Sequence, residues 1–311
     1  MHERLRVGVD LGGTKIEAAV VRVRPEAPEV LARVRVPTEA DAGYEHVVAR
    51  VARILGEVER EAGVDALPVG VGMPGGLTHR GPDGAHVEAP LVKNSNTTCL
   101  NGRPFRRDVL VAAARPIAFA NDANCFAVAE ATWGAARGAD VAFGVIMGTG
   151  VGGGVVIARG GRPHAWDGAQ GIAGEFGHVV LDAERGPACY CGRRGCVETY
   201  LAGPAIERAY AARSGLARAL PEIAARVAED RHARETIDEA LELFGRALAT
   251  VIDVLDPEVV VLGGGVSNLD ALYDRGVDAV ARWVFNDELR TRIVRHALGD
   301  SAGVFGAALL P

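Results

Sequence analysis

The sequence lacks most of what would place a protein in a membrane or on a nucleic acid. No uncharged apolar run approaches the roughly 18 residues of a bilayer span. The start, Met1-His2-Glu3-Arg4, leads into a strand-like segment, and no signal peptide is expected. Lys and Arg are nowhere concentrated and the formal net charge is -6, so neither nucleic acid nor an anionic membrane is expected as a partner. Five cysteines in 311 residues are too few for a disulfide scaffold. No low-complexity segment or long linker interrupts the chain. These absences predict a cytoplasmic protein.

What is present fits a folded α/β chain of two domains. Hydrophobic residues make up 49% and charged residues 24%, and 311 residues are long for one core. Short apolar runs predict strands at 6–10, 15–23, 30–36, 68–73, 116–120, 141–147, 154–158 and 258–262. Apolar residues at helical spacing predict helices at 43–62, 104–113, 122–134, 237–255, 269–284 and 301–310, with Asp122 as the N-cap of the third. Both halves begin strand, glycine turn, strand, which suggests two related α/β domains around a cleft. The expected division is 1–121 plus 300–311 for a small domain and 122–299 for a large one.

Glycine, at 40 residues, concentrates at a few turns. Asp10-Leu11-Gly12-Gly13-Thr14-Lys15 is the sharpest of them. Adjacent glycines let backbone N–H groups approach a phosphate, Thr14 adds a hydroxyl, Lys15 a cation, and Asp10 can hold Mg²⁺ or its waters. The spacing is not that of a Walker loop, and a strand rather than a helix follows, which excludes a dinucleotide fingerprint. A plain hairpin turn is the alternative. Two further turns, Gly148-Thr149-Gly150-Val151-Gly152-Gly153 and Gly263-Gly264-Gly265, also follow apolar strands, where α/β proteins bind ligands. Together the three predict a nucleotide cradle, two for phosphates and one for the nucleoside.

Asn121-Asp122-Ala123-Asn124 follows another strand. A carboxylate at Asp122 can take the proton from an attacking sugar hydroxyl; the competing reading is helix capping. Further on, His178 precedes Cys189-Tyr190-Cys191-Gly192-Arg193-Arg194-Gly195-Cys196. Three thiolates and an imidazole make a complete tetrahedral zinc set with no open position, so the metal is expected to be structural. Unrelated buried cysteines, or a nucleic-acid zinc ribbon, are the alternatives, and a ribbon would want two knuckles and a basic surface. Cys99 and Cys125 read as small buried residues. Glu175, His178 and Glu198 flank the knuckle and could bind neighbouring hydroxyls of a polyol; individually the two glutamates could be surface charges.

In combination, these motifs resemble the ROK family of bacterial sugar kinases and related repressors, in order along the whole chain. The resemblance implies the two-domain actin-like, hexokinase-like (ribonuclease H-like) ATPase fold with a central cleft. It implies ATP and Mg²⁺ on Asp10, Gly12, Gly13, Thr14, Lys15, Gly148, Thr149 and Gly150, with Gly263, Gly264 and Gly265 near adenosine. It implies Asp122 as general base, with Asn121, Glu175, His178 and Glu198 on sugar hydroxyls and His178 also on zinc with Cys189, Cys191 and Cys196. Family repressors carry a helix-turn-helix before the first phosphate turn, for which residues 1–9 leave no room, so a kinase is expected over a repressor. The Lys93–Phe105 segment is similar to the fructokinase (mannofructokinase) branch, with Asn101 as a sugar ligand. The expected reaction is therefore ATP:hexose phosphotransfer, D-fructose to fructose 6-phosphate. N-acetylglucosamine kinase or glucokinase activity is the alternative within the family, and a non-catalytic sugar sensor the alternative outside catalysis. The family also suggests a homodimer.

Overall fold

The computed structural model describes residues 4–310. The chain divides into two compact units. One runs to Arg137, takes in His164–Ala173 and resumes at Leu298; the other is Gly138–Pro163 with Gly174–Ala297. The boundary expected at 121/122 falls at a strand–helix junction inside the first unit.

The first unit opens with β1 (Arg4–Leu11) and β2 (Lys15–Val23), an antiparallel hairpin in which Leu11 faces Ile16 and Asp10 faces Glu17. Then follow β3 (Glu29–Pro37), α1 (Tyr44–Ala62), β4 (Val69–Met73), β5 (Gly76–Arg80), β6 (His86–Lys93), α2 (Phe105–Ala113), β7 (Ile117–Asn121) and α3 (Asp122–Trp133). The main sheet has the order β3-β2-β1-β4-β7, with β1, β4 and β7 parallel. Every residue of β4 is buried, as expected of a central parallel strand covered on both faces. Helix α1 buries Val47, Val51, Ile54, Leu55 and Val58, a stripe at the helical period, and Gly63 ends it in the left-handed conformation with φ 67°.

The second unit repeats the arrangement. It contains β8 (Val141–Met147), β9 (Val151–Arg159), the first half of β10 (Arg162–Ala165), α4 (Glu198–Leu201), α5 (Gly203–Ser214), α6 (Leu220–Ala225), α7 (Arg231–Leu255), β11 (Val259–Gly263), α8 (Arg275–Trp283) and β12 (Arg292–Arg295). The sheet order β10-β9-β8-β11-β12 again joins an antiparallel β8/β9 pair to parallel β8, β11 and β12. The duplication inferred from glycine turns is thus a duplication of sheet topology. Helix α9 (Ala302–Ala308) then returns to the first unit and packs on β1, β4 and α3.

Several element boundaries differ from expectation for identifiable local reasons. Helix α7 starts at Arg231 rather than near 237, because the Asp230 carboxylate accepts from the His232 and Ala233 N–H groups at 2.8 and 3.2 Å. The helix expected over 269–284 is a short 3-10 turn, Asp270–Leu272, and then α8, which restarts at the Asp274 cap. Asp122 is the first helical residue of α3, and Asn121 is the N-cap, accepting from the Ala123 N–H at 2.9 Å. The run Val151-Gly152-Gly153 belongs to β9, so the second glycine turn is only Gly148 to Gly150. No described helix is long and apolar enough to cross a membrane.

Candidate active site

In the first unit the candidate residues gather at the C-terminal edge of the parallel strands. Asp10, Gly72 and Ala120 lie in one row across β1, β4 and β7, so Asp10 and Ala120 stand about 10 Å apart, two strand spacings. The 12–14 turn is closed by the Gly12 N–H donating to the Lys15 carbonyl at 2.9 Å. Thr38 braces it: its hydroxyl donates to the Gly12 carbonyl at 2.7 Å and its N–H to the Thr14 carbonyl at 2.9 Å. Beside Gly13 lies Thr97, a buried residue whose hydroxyl has no hydrogen-bond partner. An orphaned buried hydroxyl costs about 1–3 kcal/mol, so its place against the turn fits a site completed by a ligand.

Asp10 carries the clearest electrostatic signal. Burial first, and then the charge of Glu17, push its carboxyl up to about 6, with Lys15 acting in the opposite direction. A sequestered, destabilised carboxylate beside a glycine turn is what an added cation would relieve, so Asp10 fits a divalent cation such as Mg²⁺. Lys15 itself reaches along β2, with its Nζ 3.7 Å from Glu17 Oε2. Glu17 is 1% exposed and also takes Arg33 Nε at 3.6 Å, Arg35 Nε at 2.8 Å and the Ser301 hydroxyl at 2.7 Å.

Asn121 and Asp122 sit where β7 gives way to α3. The Asn121 carboxamide is committed to structure, capping the helix and donating to the Gly75 carbonyl at 3.1 Å. One Asp122 oxygen accepts from the Ala123 N–H at 2.9 Å, which fixes the carboxylate at the helix start. Asn124, one turn on, is 4% exposed and donates to Asp167 at 2.7 Å, bringing 164–173 against this helix. Asn101 holds a loop together: Oδ1 accepts from the Ser95 N–H and Nδ2 donates to the Ser95 carbonyl, both at 2.9 Å. Of the two lone cysteines, Cys125 is fully buried and Cys99 half-buried.

In the second unit two turns share an edge, since Gly263 pairs with Ile146 on β8. The Gly148 N–H donates to the Gly150 carbonyl at 2.9 Å, and the Gly203 N–H donates to the Gly148 carbonyl at 2.8 Å. Gly264 has φ 79°, and a Cβ there would lie 2.4 Å from the Met147 carbonyl oxygen, so only glycine fits. Glu198 is tied to the second turn: its Oε2 accepts from the Val151 N–H at 2.9 Å. Glu175 lies at the start of the short turn Phe176–His178.

The knuckle brings His178, Cys189, Cys191 and Cys196 together, with their ligand atoms all within 4.8 Å of one another. Cys189 Sγ is 3.6 Å from His178 Nδ1, and Cys191 Sγ is 3.6 Å from Cys196 Sγ. A tetrahedral ion with metal–sulfur bonds of about 2.3 Å has ligand–ligand edges of about 3.8 Å. Donor types and spacing therefore fit such an ion. The other imidazole nitrogen, Nε2, is 3.0 Å from the Tyr190 hydroxyl.

Comparison with known proteins matches this geometry to a family. The ROK family model covers residues 6–311. The chain belongs to the ROK family. An N-acetyl-D-glucosamine kinase of Photobacterium profundum is 35% identical over 97% of this chain and 98% of its own. A ROK hexokinase from Thermus thermophilus superposes with a TM-score of 0.80 at 36% identity, covering 98% of this chain and 97% of the other. A ROK glucokinase from Streptomyces griseus, solved with glucose and AMPPNP, superposes with a TM-score of 0.78 at 28% identity, covering 98% of each chain. The α/β hexokinase-like fold expected of a ROK protein is therefore the fold of this chain. The fructokinase branch expected from the Lys93–Phe105 segment is not the one these relatives carry. Sequence reading of this ROK chain missed Glu17, Thr38, Thr97 and Asp167, and assigned no role to Asn124 or Tyr190. Each acquires its meaning from neighbours that folding brings to it.

Proposed function

We propose that this ROK protein is an ATP-dependent sugar kinase acting on N-acetyl-D-glucosamine. The observation that carries the reading is the polar set of the second unit. There a histidine held through Nδ1 presents Nε2 beside a hydroxyl, in the field of Glu198 and Glu175. A polyol rewards such a set, because each sugar hydroxyl accepts one hydrogen bond and donates another. The choice of N-acetylglucosamine over fructose rests on relatives of that activity aligned over nearly the whole chain.

The residues divide the work as follows. Backbone donors of Gly12, Gly13 and Thr14, with the Thr14 hydroxyl and the Lys15 cation, hold phosphate. Gly148, Thr149 and Gly150 make a second phosphate contact, and Gly263, Gly264 and Gly265 lie against the nucleoside. Glu175, His178 and Glu198 bind sugar hydroxyls. Asn121 holds the strand end that carries Asp122, and Asn101 holds the Ser95 loop. Asp122 accepts the proton of the attacking hydroxyl as its oxygen bonds to the γ-phosphorus and the bond to the ADP oxygen breaks, a contribution of about 10²–10⁴-fold. Mg²⁺ on Asp10 would neutralise phosphate charge. Zinc on His178, Cys189, Cys191 and Cys196 would lock the imidazole in place.

A coupled ADP-release assay across N-acetylglucosamine, N-acetylmannosamine, glucose, mannose and fructose tests this. N-acetylglucosamine should show the highest kcat/KM, and Asp122→Asn should lower kcat by about 10²–10⁴-fold with sugar binding retained. Preference for fructose would restore the fructokinase reading. Sugar binding without ADP release would make the protein a sensor.

A further inference from the structure

We infer that Tyr190 is a built-in stand-in for a sugar hydroxyl: its phenol occupies the hydrogen-bonding position on His178 Nε2 that a neutral polyol must take, so sugar binding requires Tyr190 to release His178. The inference deepens the sugar-kinase reading and rests on it for the identity of the ligand.

The argument begins with the two nitrogens of His178. Nδ1 faces Cys189 Sγ at 3.6 Å, inside the metal-fitting set. A neutral imidazole that ligates through Nδ1 carries its proton on Nε2. With a metal on Nδ1, Nε2–H is the donor and the Tyr190 oxygen 3.0 Å away its acceptor. The two rings meet edge to face, with centroids 5.2 Å apart and planes at 84°.

The phenol keeps its own proton. A tyrosine hydroxyl ionises only near about pH 10, so at neutral pH it is a donor as well as an acceptor. Its partner is the His178 imidazole at 3.0 Å. Glu198 is already fixed there by the Val151 N–H at 2.9 Å. A bound sugar hydroxyl would accept from the same Nε2–H and offer its proton to that carboxylate. The phenol takes the place of that hydroxyl on Nε2, so the two compete for one site.

Tyr190 is also placed to move. Its backbone is pinned on both sides by Cys189 and Cys191, while its side chain is 58% exposed. The backbone can stay in the knuckle while the ring swings into solvent about its χ1 bond. The cost is one neutral hydrogen bond, which sets the expected size of the competition at about fivefold.

Titration calorimetry with N-acetylglucosamine in the absence of ATP tests this on the zinc-loaded protein. Tyr190→Phe keeps the ring and removes the competing hydroxyl. Its Kd should fall about fivefold, with metal content per chain equal to that of the parent, which reports an intact knuckle. An unchanged or raised Kd overturns the inference, since the hydroxyl would then be idle or a direct ligand. A second measurement needs no sugar. The His178 Nε2–H proton should be slow to exchange by NMR in the parent and fast in Tyr190→Phe; equal exchange rates overturn the inference even if no sugar binds. Absence of binding by every hexose in the parent would instead sink the sugar-kinase reading.

Discussion

Asp10 and Glu17 face each other in one rung of the β1–β2 ladder, and their mutual repulsion is part of what raises Asp10. The folded chain holds the Asp10 proton more tightly than the unfolded chain, from an ordinary value of 3.8 up to about 6. Raising the pH through that interval strips a proton the fold prefers to keep, so the ligand-free protein should lose stability between about pH 4 and about 6. The loss is bounded at about 3 kcal/mol. Asp10→Asn should remove this slope. Urea melts should show it more stable than the parent at pH 7.5 and little different near pH 4, while its Mg²⁺-dependent turnover falls. At this scale the sequence was most legible where chemistry-bearing residues stand near glycines, as at Asp10, Thr14 and Lys15, or directly after an apolar strand, as at Asp122. Glu17 was silent, because its three cations and the Ser301 hydroxyl come from β2, β3 and the turn before α9.

Helix α9 shows how closely elements of this chain approach. A Cβ built on Gly8 of β1 would lie 2.0 Å from the Val304 carbonyl oxygen, and one on Gly70 of β4 would lie 1.9 Å from that of Ala307. The helix backbone lies directly on the sheet, and backbone atoms cannot rotate aside as a flexible side chain would. Gly70→Ala should therefore push α9 off β4 and destabilise the first unit by about 3 kcal/mol, read as a lower Tm. Gly56→Ala, with nothing within 4 Å of its Cβ, should leave the Tm unchanged or raised. Strands with unbroken apolar runs, such as β4, β8 and β11, were legible because both faces are buried. The β5–β6 hairpin was not, since its residues are half-buried or exposed and carry no clean alternation.

At the scale of the molecule, the same strand order recurs in both units, and each places its glycine turn at the end of the first strand of its hairpin. The second unit adds the knuckle, whose four donors span residues 178 to 196. Closing that loop through a metal would hold His178, Glu198 and the 148–150 turn in register, since Glu198 follows Cys196 by two residues and binds the Val151 N–H. Removing the metal with a chelator, or through Cys191→Ala, should lower the Tm and weaken N-acetylglucosamine binding, with ATP affinity largely kept. Elemental analysis, thermal melts and calorimetry check the three effects. Metal-free protein with unchanged sugar affinity would detach the knuckle from the sugar site.

By itself the sequence determined the family, the repeated strand–turn–strand plan and the donor set of the knuckle. These are local patterns: a period of two or 3.6, a glycine where backbone must come close, and cysteines a few positions apart. Only the tertiary structure decided which atoms face which. It put Asn121 rather than Asp122 at the helix cap, turned Lys15 to Glu17, and closed His178 Nε2 with the Tyr190 hydroxyl. The physical reason is that a hydrogen bond depends on angle and distance to a few tenths of an ångström. Separation along the chain does not encode that geometry, and packing of distant elements does.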